Sequence, residues 1–442
     1  MGGVLSTVHR DDFEVERSAD NFITTVPWGV DLCKRLGLID QLVQTNPAHR
    51  RTYVVRRNRL HRLPDGFLMM APTRLWPLAV TPLLSPLGKL RSAMEYFIPP
   101  RRGDEDESMA GFVRRRLGRE AFDRLVEPLV SAVYAADMEK LSVLATLSRF
   151  RDMEREHGSL IRAMRHQMKH RPKGKEESGP RYSMFVTLRD GLTSLVEAMA
   201  QRLPPGAVQL NSRVAGIDRV AKGWRVRLEQ SAVRPHSGPL PEGEREAVFD
   251  AVILAAPSYE VARLLAPVDP GLASDLARIE HSGTAVVSLG FDDRQVGHPL
   301  DGMGAVVPSI EKSPILACSF SSRKYPHRAP EGKSLLRAFV GGARRPELAE
   351  MPDNELLPLV LEHLRPLFDI HGEPVFCDIA HWPRTMPQYH VGHKELVAGI
   401  DARVKQIPGL QLAGNAYRGV GLPDCIHGGE QAAERVLAAP IR

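Results

Sequence analysis

Cysteine is scarce in this chain. Four occur in 442 residues, Cys33, Cys318, Cys377 and Cys425, far apart and with no C-x-x-C pair. That argues against a disulfide framework and a cysteine-based zinc site, and it suits a reduced, cytoplasmic setting. Long apolar runs are missing too. The nearest to a membrane span is the stretch 67–88, whose only charge is Arg74; Pro72, Pro77, Pro82 and Pro86 would break a spanning helix there. Its preferred reading is a buried, irregular helical region. The sharper reading is a monotopic membrane contact or an apolar lid over a greasy substrate. The opening Met1-Gly2-Gly3-Val4 runs directly into charged residues and lacks the apolar core of a signal peptide. Neither G-x-S-x-G nor a Walker A sequence occurs. His390 and His393 form an H-x-x-H with His381 nearby, but without cysteine or carboxylate at ligand spacing no metal is assigned. The basic runs lack interleaved aromatics, so no nucleic-acid partner is assigned.

What is present is an ordinary globular composition: 43% hydrophobic, 25% charged, net charge +6. This excludes disorder, collagen and a pure coiled coil. At roughly 150 residues per domain the length suggests about three domains. The mild excess of basic residues admits an anionic surface or an acidic small molecule as partner.

The first sixty residues read as α/β, with short strands at 4–8 and 13–15, a helix over 27–36 ending near Gly37, and a basic hairpin over 52–63 with Asn58 near its tip. Residues 65–170 read as helical. Ser108 is an N-cap, Met109, Phe112, Val113 and Leu117 follow helical spacing, and Arg114, Arg115 and Arg116 lie mostly off that stripe. Phe122 to Val133 forms a second helix face, and Ser159 opens a third helix. Residues 171–180 and 234–246 are rich in Gly, Pro and charge and read as surface insertions. A helix is expected over 192–203. Strands are expected over 208–217, 224–228, 250–256 (buried), 285–291, 303–307, 315–320 and 335–340. A helix over 354–368, strands over 375–382 and 410–413, and a helix over 425–437 complete the pattern.

The most informative stretch runs from Leu412 to Ile426: L-A-G-N-A-Y-R-G-V-G-L-P-D-C-I. A strand leads into a glycine-rich turn, and Asp424 is placed to cap the next helix. Glycines admit close approach of a flat ligand, and a helix N-terminus offers free N–H groups to an electron-rich one. On spacing alone, an ordinary strand–turn–helix connection is an equal reading.

That stretch resembles the C-terminal flavin motif of the protoporphyrinogen/coproporphyrinogen oxidase family. Gly414, Asn415, Tyr417, Gly419, Val420, Gly421, Pro423, Asp424, Cys425 and Ile426 match it. Residues 1–22 are similar to the family's G-G-V-x-x-T and E-G-G-P-D-S-F segments. Glu107-Ser108 with Phe112 to Gly118 looks like its D-E-S…F-V-R-R-R-L-G. Asp250 to Pro257 and Trp382 to Tyr389 extend the likeness, which covers nearly the whole chain.

The resemblance implies an α/β fold. A doubly wound FAD-binding domain would comprise residues 1–45, 181–270 and 385–442, a sheet-plus-helix substrate domain 46–65 and 271–384, and an inserted helical region 66–180. It implies FAD as cofactor, with Ser18, Ala19, Asp20, Asn21, Trp382, Gly414, Asn415, Gly419, Val420, Gly421 and Leu422 on the flavin side and Val214 toward the adenine. The activity implied is the six-electron oxidation of a porphyrinogen, coproporphyrinogen III or protoporphyrinogen IX, in haem biosynthesis. Hydride would pass from a methylene bridge to the flavin, which dioxygen reoxidises, and no general base is named. A homodimer, peripheral membrane contact and hand-over to a ferrochelatase stay open.

Departures are visible. Arg17, Ser18, Ala19 and Asn21 stand where the family has Gly, Gly, Pro and Ser, and Asp190 replaces a glycine. Arg56, Arg57, Arg59, His61 and Arg62 of the basic hairpin lie near where some members pair an arginine with a substrate propionate. No G-x-G-x-x-G occurs anywhere in the 442 residues. Such a βαβ unit takes about 30 residues, so the chain is expected to begin downstream of it, through a mis-assigned start or as a fragment. The rival readings are another flavin oxidoreductase of the amine oxidase or desaturase type, and a flavin-less binding protein.

Overall fold

The computed structural model describes residues 1–170, 184–229 and 246–438; most of the two expected insertions lies outside them. The largest element is a seven-stranded sheet in the order Phe376–Pro387, His281–Asp292, Lys333–Gly341, Ile315–Phe320, Gly304–Val306, Thr52–Arg56, Arg59–Arg62. Neighbours are antiparallel except Gly304–Val306 against Thr52–Arg56. The last two strands are the expected hairpin. Arg57 and Asn58 take φ of 51° and 55°, the left-handed pair that a two-residue hairpin turn requires.

Alternation along His281–Asp292 sends Ala285, Val287, Leu289 and Phe291 to one face, where they pack on Leu356, Val360, Leu364 and Phe368 of the helix Asp353–Phe368. At Gly290 a Cβ would come within 2.6 Å of the Phe13 ring. The missing side chain therefore lets the N-terminal hairpin Thr7–Arg10/Phe13–Glu16 close on the sheet.

The region between 75 and 169 is helical. Ser108 caps Met109–Leu117 by accepting from the Gly111 N–H at 3.1 Å, and Ser159 caps Leu160–Lys169. The second expected helix contains a π-turn over Phe122–Val126, continued by Glu127–Tyr134. Arg116 corrects the expectation that the three arginines face away from the core. It is fully buried, paired with Glu95 and donating to the carbonyls of Ile98 (2.9 Å) and Gly158 (3.1 Å). A guanidinium can be buried when a carboxylate and several carbonyls meet its donors.

The remaining residues build the layer that positions the site. Val252–Leu254 pairs in parallel with Leu410–Leu412. A three-stranded antiparallel sheet, Val214–Val220, Gly223–Leu228 and Glu246–Phe249, lies beside this pair and shares its hydrophobic cluster. Two expectations are corrected here. Residues 208–213 are not strand, because pairing with Gly223–Leu228 begins only at Val214. The stretch 250–256 is not fully buried, since Ile253 is 38% exposed and only Leu254 is covered. The helix Trp28–Leu36 ends at Gly37 (φ 78°) and packs on the helix Leu422–Ala438 through Trp28 stacked on His427. The short sheet Phe22–Ile23, Phe185–Leu188, Leu42–Gln44 sits alongside.

Candidate functional site

Ligands of open α/β sheets bind beyond the carboxyl ends of the parallel strands. Here the strand Leu410–Leu412 feeds at that end into the turn 413–421 and then into the helix Leu422–Ala438. The turn lies where three packed clusters meet. Ala416 and Tyr417 belong to the cluster around Leu254 and Ile400, Val420 packs on the helical region, and Leu422 packs with Phe22 and Cys33. An apolar ligand edge entering there would be surrounded by all three.

One side chain holds the turn in shape. Tyr389, 2% exposed, donates its hydroxyl to the Asn415 carbonyl at 2.5 Å and accepts from the Gly419 N–H at 2.8 Å. Its ring stacks on His393 (4.0 Å between centroids, 13°), and His393 Nε2 donates to the Tyr417 carbonyl at 3.2 Å. Burial pushes the Tyr389 phenol up and the His393 imidazole down, so both stay neutral near pH 7. The Asn415 amide donates to the Thr385 carbonyl at 3.2 Å, tying the turn to the strand that carries Trp382. Gly419 sits at φ 151°, and a Cβ there would lie 2.4 Å from Asp424 Cγ. Asp424 is not the cap it was expected to be. The helix starts at Leu422 with Pro423 in its first turn, as proline's preset φ allows, so Asp424 lies inside that turn. Burial raises its carboxyl, opposed by the Gly421 N–H.

Residues 17–21 form the facing wall. Trp382 Nε1 donates to the Arg17 carbonyl at 2.6 Å, and Arg17 grips Asp378 with two bonds of 3.0 and 3.2 Å. Arg337 donates to the Ser18 carbonyl at 2.6 Å, and Arg328 to the Asp20 carbonyl at 3.0 Å. Lys324 Nζ lies 3.0 Å from Asp20 Oδ2. Ala19 packs in the same cluster as Leu422, and Phe22 meets Gly29 and Pro423 closely enough that a Cβ on Gly29 would touch both.

Of the expected site residues, Ser18, Ala19, Asp20, Asn21 and Trp382 therefore lie together on one wall, Gly414, Asn415, Gly419, Val420 and Gly421 lie in the turn tied to it, and Leu422 opens the helix that follows. Val214 stands apart on the three-stranded sheet, its carbonyl accepting from Arg263 at 3.1 Å. Sequence reasoning missed Lys324, Arg328 and Arg337, and it gave Tyr389 no role. The three histidines considered for a metal part company: His381 bonds Ala349 and Asp353, whereas His393 bonds Tyr417.

The wall fits the edge of a flavin ring. The carbonyls of 17 and 18 are taken by Trp382 and Arg337 of the large sheet and that of 20 by Arg328, while the backbone N–H groups of Ser18, Ala19, Asp20 and Asn21 bond no described residue. A polar edge rich in acceptors would meet those amides. Gly428 and Gly429 face open space, leaving one side of the long helix uncovered by described atoms.

The chain matches the flavin containing amine oxidoreductase family over residues 1–437. It is 34% identical to the coproporphyrinogen III oxidase of Bacillus subtilis (strain 168), over 99% of this chain and 89% of that protein. It is 35% identical to the coproporphyrinogen III oxidase of Propionibacterium freudenreichii subsp. freudenreichii, over 100% of this chain and 85% of that one. A crystal structure from Exiguobacterium sp. 255-15, provisionally described as a protoporphyrinogen oxidase, superposes with a TM-score of 0.85 at 29% identity, covering 99% of this chain and 90% of that chain. The chain belongs to the flavin-containing amine oxidoreductases, and FAD is its cofactor.

Proposed function

We propose that the protein oxidises a porphyrinogen to the porphyrin in haem biosynthesis, with dioxygen as terminal oxidant, and that coproporphyrinogen III is the substrate. The observation that carries this reading is the Tyr389-centred junction, which brings 17–21, 382–389 and 414–424 together. The relatives at 34 and 35% identity are named for coproporphyrinogen III, and the solved structure at 29% for protoporphyrinogen. Bound flavin supplies the hydride acceptor for each two-electron step. Trp382 and residues 419–422 would hold the ring, the amides of 18–21 would meet its polar edge, and Val214 would lie toward the adenine.

The substrate's propionates call for cations. Arg56 lies in strand parity with Val54, whose side chain packs on the helical region. Its Nε is buried without a bond, and burial with the nearby Arg124 and Arg57 lowers its pKa against the pull of Glu120 and Glu311. We assign it to a propionate. The test compares kcat/KM for coproporphyrinogen III and protoporphyrinogen IX by porphyrin fluorescence. Preference for the former supports coproporphyrinogen III as the substrate, and equal or reversed preference overturns that choice.

The surface also favours a membrane partner. Leu75, Trp76, Val80, Leu87, Leu90 and Phe97 are exposed around a groove of about 450 Å³ between the short helices Leu75–Val80 and Pro86–Ala93 and the helix Leu160–Lys169. Lys89 and Arg165 line it, and the one acid between 67 and 100, Glu95, is buried. No helix among the described residues is long and apolar enough to cross a membrane. Such a face lies on an anionic bilayer rather than spanning it.

A further inference from the structure

Three cations, Lys324, Arg328 and Arg337, gather behind residues 17–21. Arg337 stands in the middle of Lys333–Gly341 with Leu335, Leu336 and Ala338 as neighbours, and its side chain is fully buried. Lys324 and Arg328 reach the same point from the short helical turns after Phe320. All three converge on one carboxylate. Asp20 Oδ2 is 3.0 Å from Lys324 Nζ, 3.4 Å from Arg337 Nη1 and 3.9 Å from Arg328 Nη1. Arg328 has further acids at 3.5 Å (Glu16) and 3.6 Å (Glu14). Within 4 Å, among the described residues, Lys324 and Arg337 meet Asp20 alone, and Glu16 attracts Arg337 from further off. Nε and Nη1 of both arginines are buried without a hydrogen bond. Burying three cations with the three carboxylates Asp20, Glu16 and Glu14 is costly, so an account is needed of what the cluster does.

We propose that Lys324, Arg328 and Arg337 are positioning residues for the flavin: Arg337 and Arg328 clamp residues 18 and 20 by their carbonyls, all three hold Asp20, and within this cluster of three cations and three carboxylates each cation raises, and Asp20 lowers, the reduction potential of the ring lying against that segment. The inference rests on the proposed placement of the flavin at residues 18–21. Reducing a flavin adds electron density to its ring, and fixed cations a few ångströms away in a site of low dielectric favour that state. The clamp occupies the carbonyls of Ser18 and Asp20 and leaves the amides of 18–21 without a described partner. Burial, opposed by Lys324, Arg337 and Arg328, leaves the Asp20 carboxyl well below its ordinary range, so it remains a full negative charge at working pH.

The experiment uses the purified, FAD-loaded protein and reads its two-electron midpoint potential by equilibration with reference dyes. Lys324→Met is expected to lower the potential and Asp20→Asn to raise it, while Lys324→Arg stays at the wild-type value. FAD dissociation constants rise several-fold in both isosteric variants, because the clamp loosens in each. A merely structural role moves the potential in neither variant, or in the same direction in both, and either result overturns the proposal. Arg337→Lys keeps the charge but cannot hold Ser18 and Asp20 together. It is expected to weaken FAD binding at unchanged potential, and it decides the matter if the isosteric variants do not fold: a drop in potential at retained charge contradicts the electrostatic role. Protein that carries no FAD in any form refutes the placement of the flavin instead.

Discussion

Tyr389→Phe removes one oxygen from the centre of the site and nothing else. The ring keeps its stack on His393, so packing is conserved. Two partners are lost together, the Asn415 carbonyl and the Gly419 N–H. A buried backbone group left without a partner costs about 1–3 kcal/mol. Both groups are in the half-buried turn, where water recovers part of that, so about 2–4 kcal/mol is expected in total. The cost divides between two readouts. Whatever the turn suffers in the FAD-free protein appears as lower stability to denaturant. Whatever is suffered only on binding appears in the FAD dissociation constant, at about tenfold per 1.4 kcal/mol. The assay therefore pairs urea unfolding of the FAD-free protein with a flavin fluorescence titration. Wild-type values in both, within about 0.5 kcal/mol, would refute the view that this hydroxyl organises the turn. Burial holds the phenol protonated, so the wild-type bonds persist across the neutral range.

Gly419→Ala forces a side chain onto a residue at φ 151° with its Cβ 2.4 Å from Asp424 Cγ. Strain of about 1–3 kcal/mol plus the clash should abolish flavin retention on gel filtration, and a protein that stays yellow contradicts the geometry. Asp20 has its carboxyl depressed below the ordinary 3.8, so its stabilisation is fully present above that value and is lost as pH falls through the folded-state value. The stability gap between wild type and Asp20→Asn should then be constant from pH 5 to 7 and narrow only under strong acid, measured by urea unfolding; a gap that narrows between pH 7 and 5 would be wrong for this site. Replacing Lys89 and Arg165 by Glu should reduce co-sedimentation with phosphatidylserine vesicles by well over tenfold, at about 1 kcal/mol for each charge lost and more for reversal. Replacing Trp76 by Ser should weaken binding to neutral and anionic vesicles alike; unchanged sedimentation of both variants removes the membrane reading.

Local structure was legible wherever the signal lay within a few residues. The hairpin tip at Asn58, the caps Ser108 and Ser159 and the terminator Gly37 were all readable, because each depends on one side chain or one φ value. The glycine-rich turn was recognisable for the same reason. What the chain concealed were long-range partners. Lys324 meets Asp20 across 304 positions, and Arg337 in Leu335-Leu336-Arg337-Ala338 looked like a strand residue of no special standing. Arg116 seemed to leave the apolar stripe because nothing local announced Glu95. Tyr389 stood in a recognised segment, but its role exists only when Asn415 and Gly419 fold over it. The misplaced cap at Asp424 was avoidable, since Pro423 fits a helix first turn and marks the start at Leu422.

The central claim is that this chain passes hydride from a porphyrinogen to FAD held at the junction of residues 17–21, 382 and 414–422. Anaerobic mixing of the FAD-loaded protein with coproporphyrinogen III tests it most directly. The account predicts that the yellow flavin absorbance bleaches as porphyrin fluorescence rises, and that admitting dioxygen restores the absorbance and completes porphyrin formation. Flavin that stays oxidised in the presence of coproporphyrinogen III and protoporphyrinogen IX alike would contradict it.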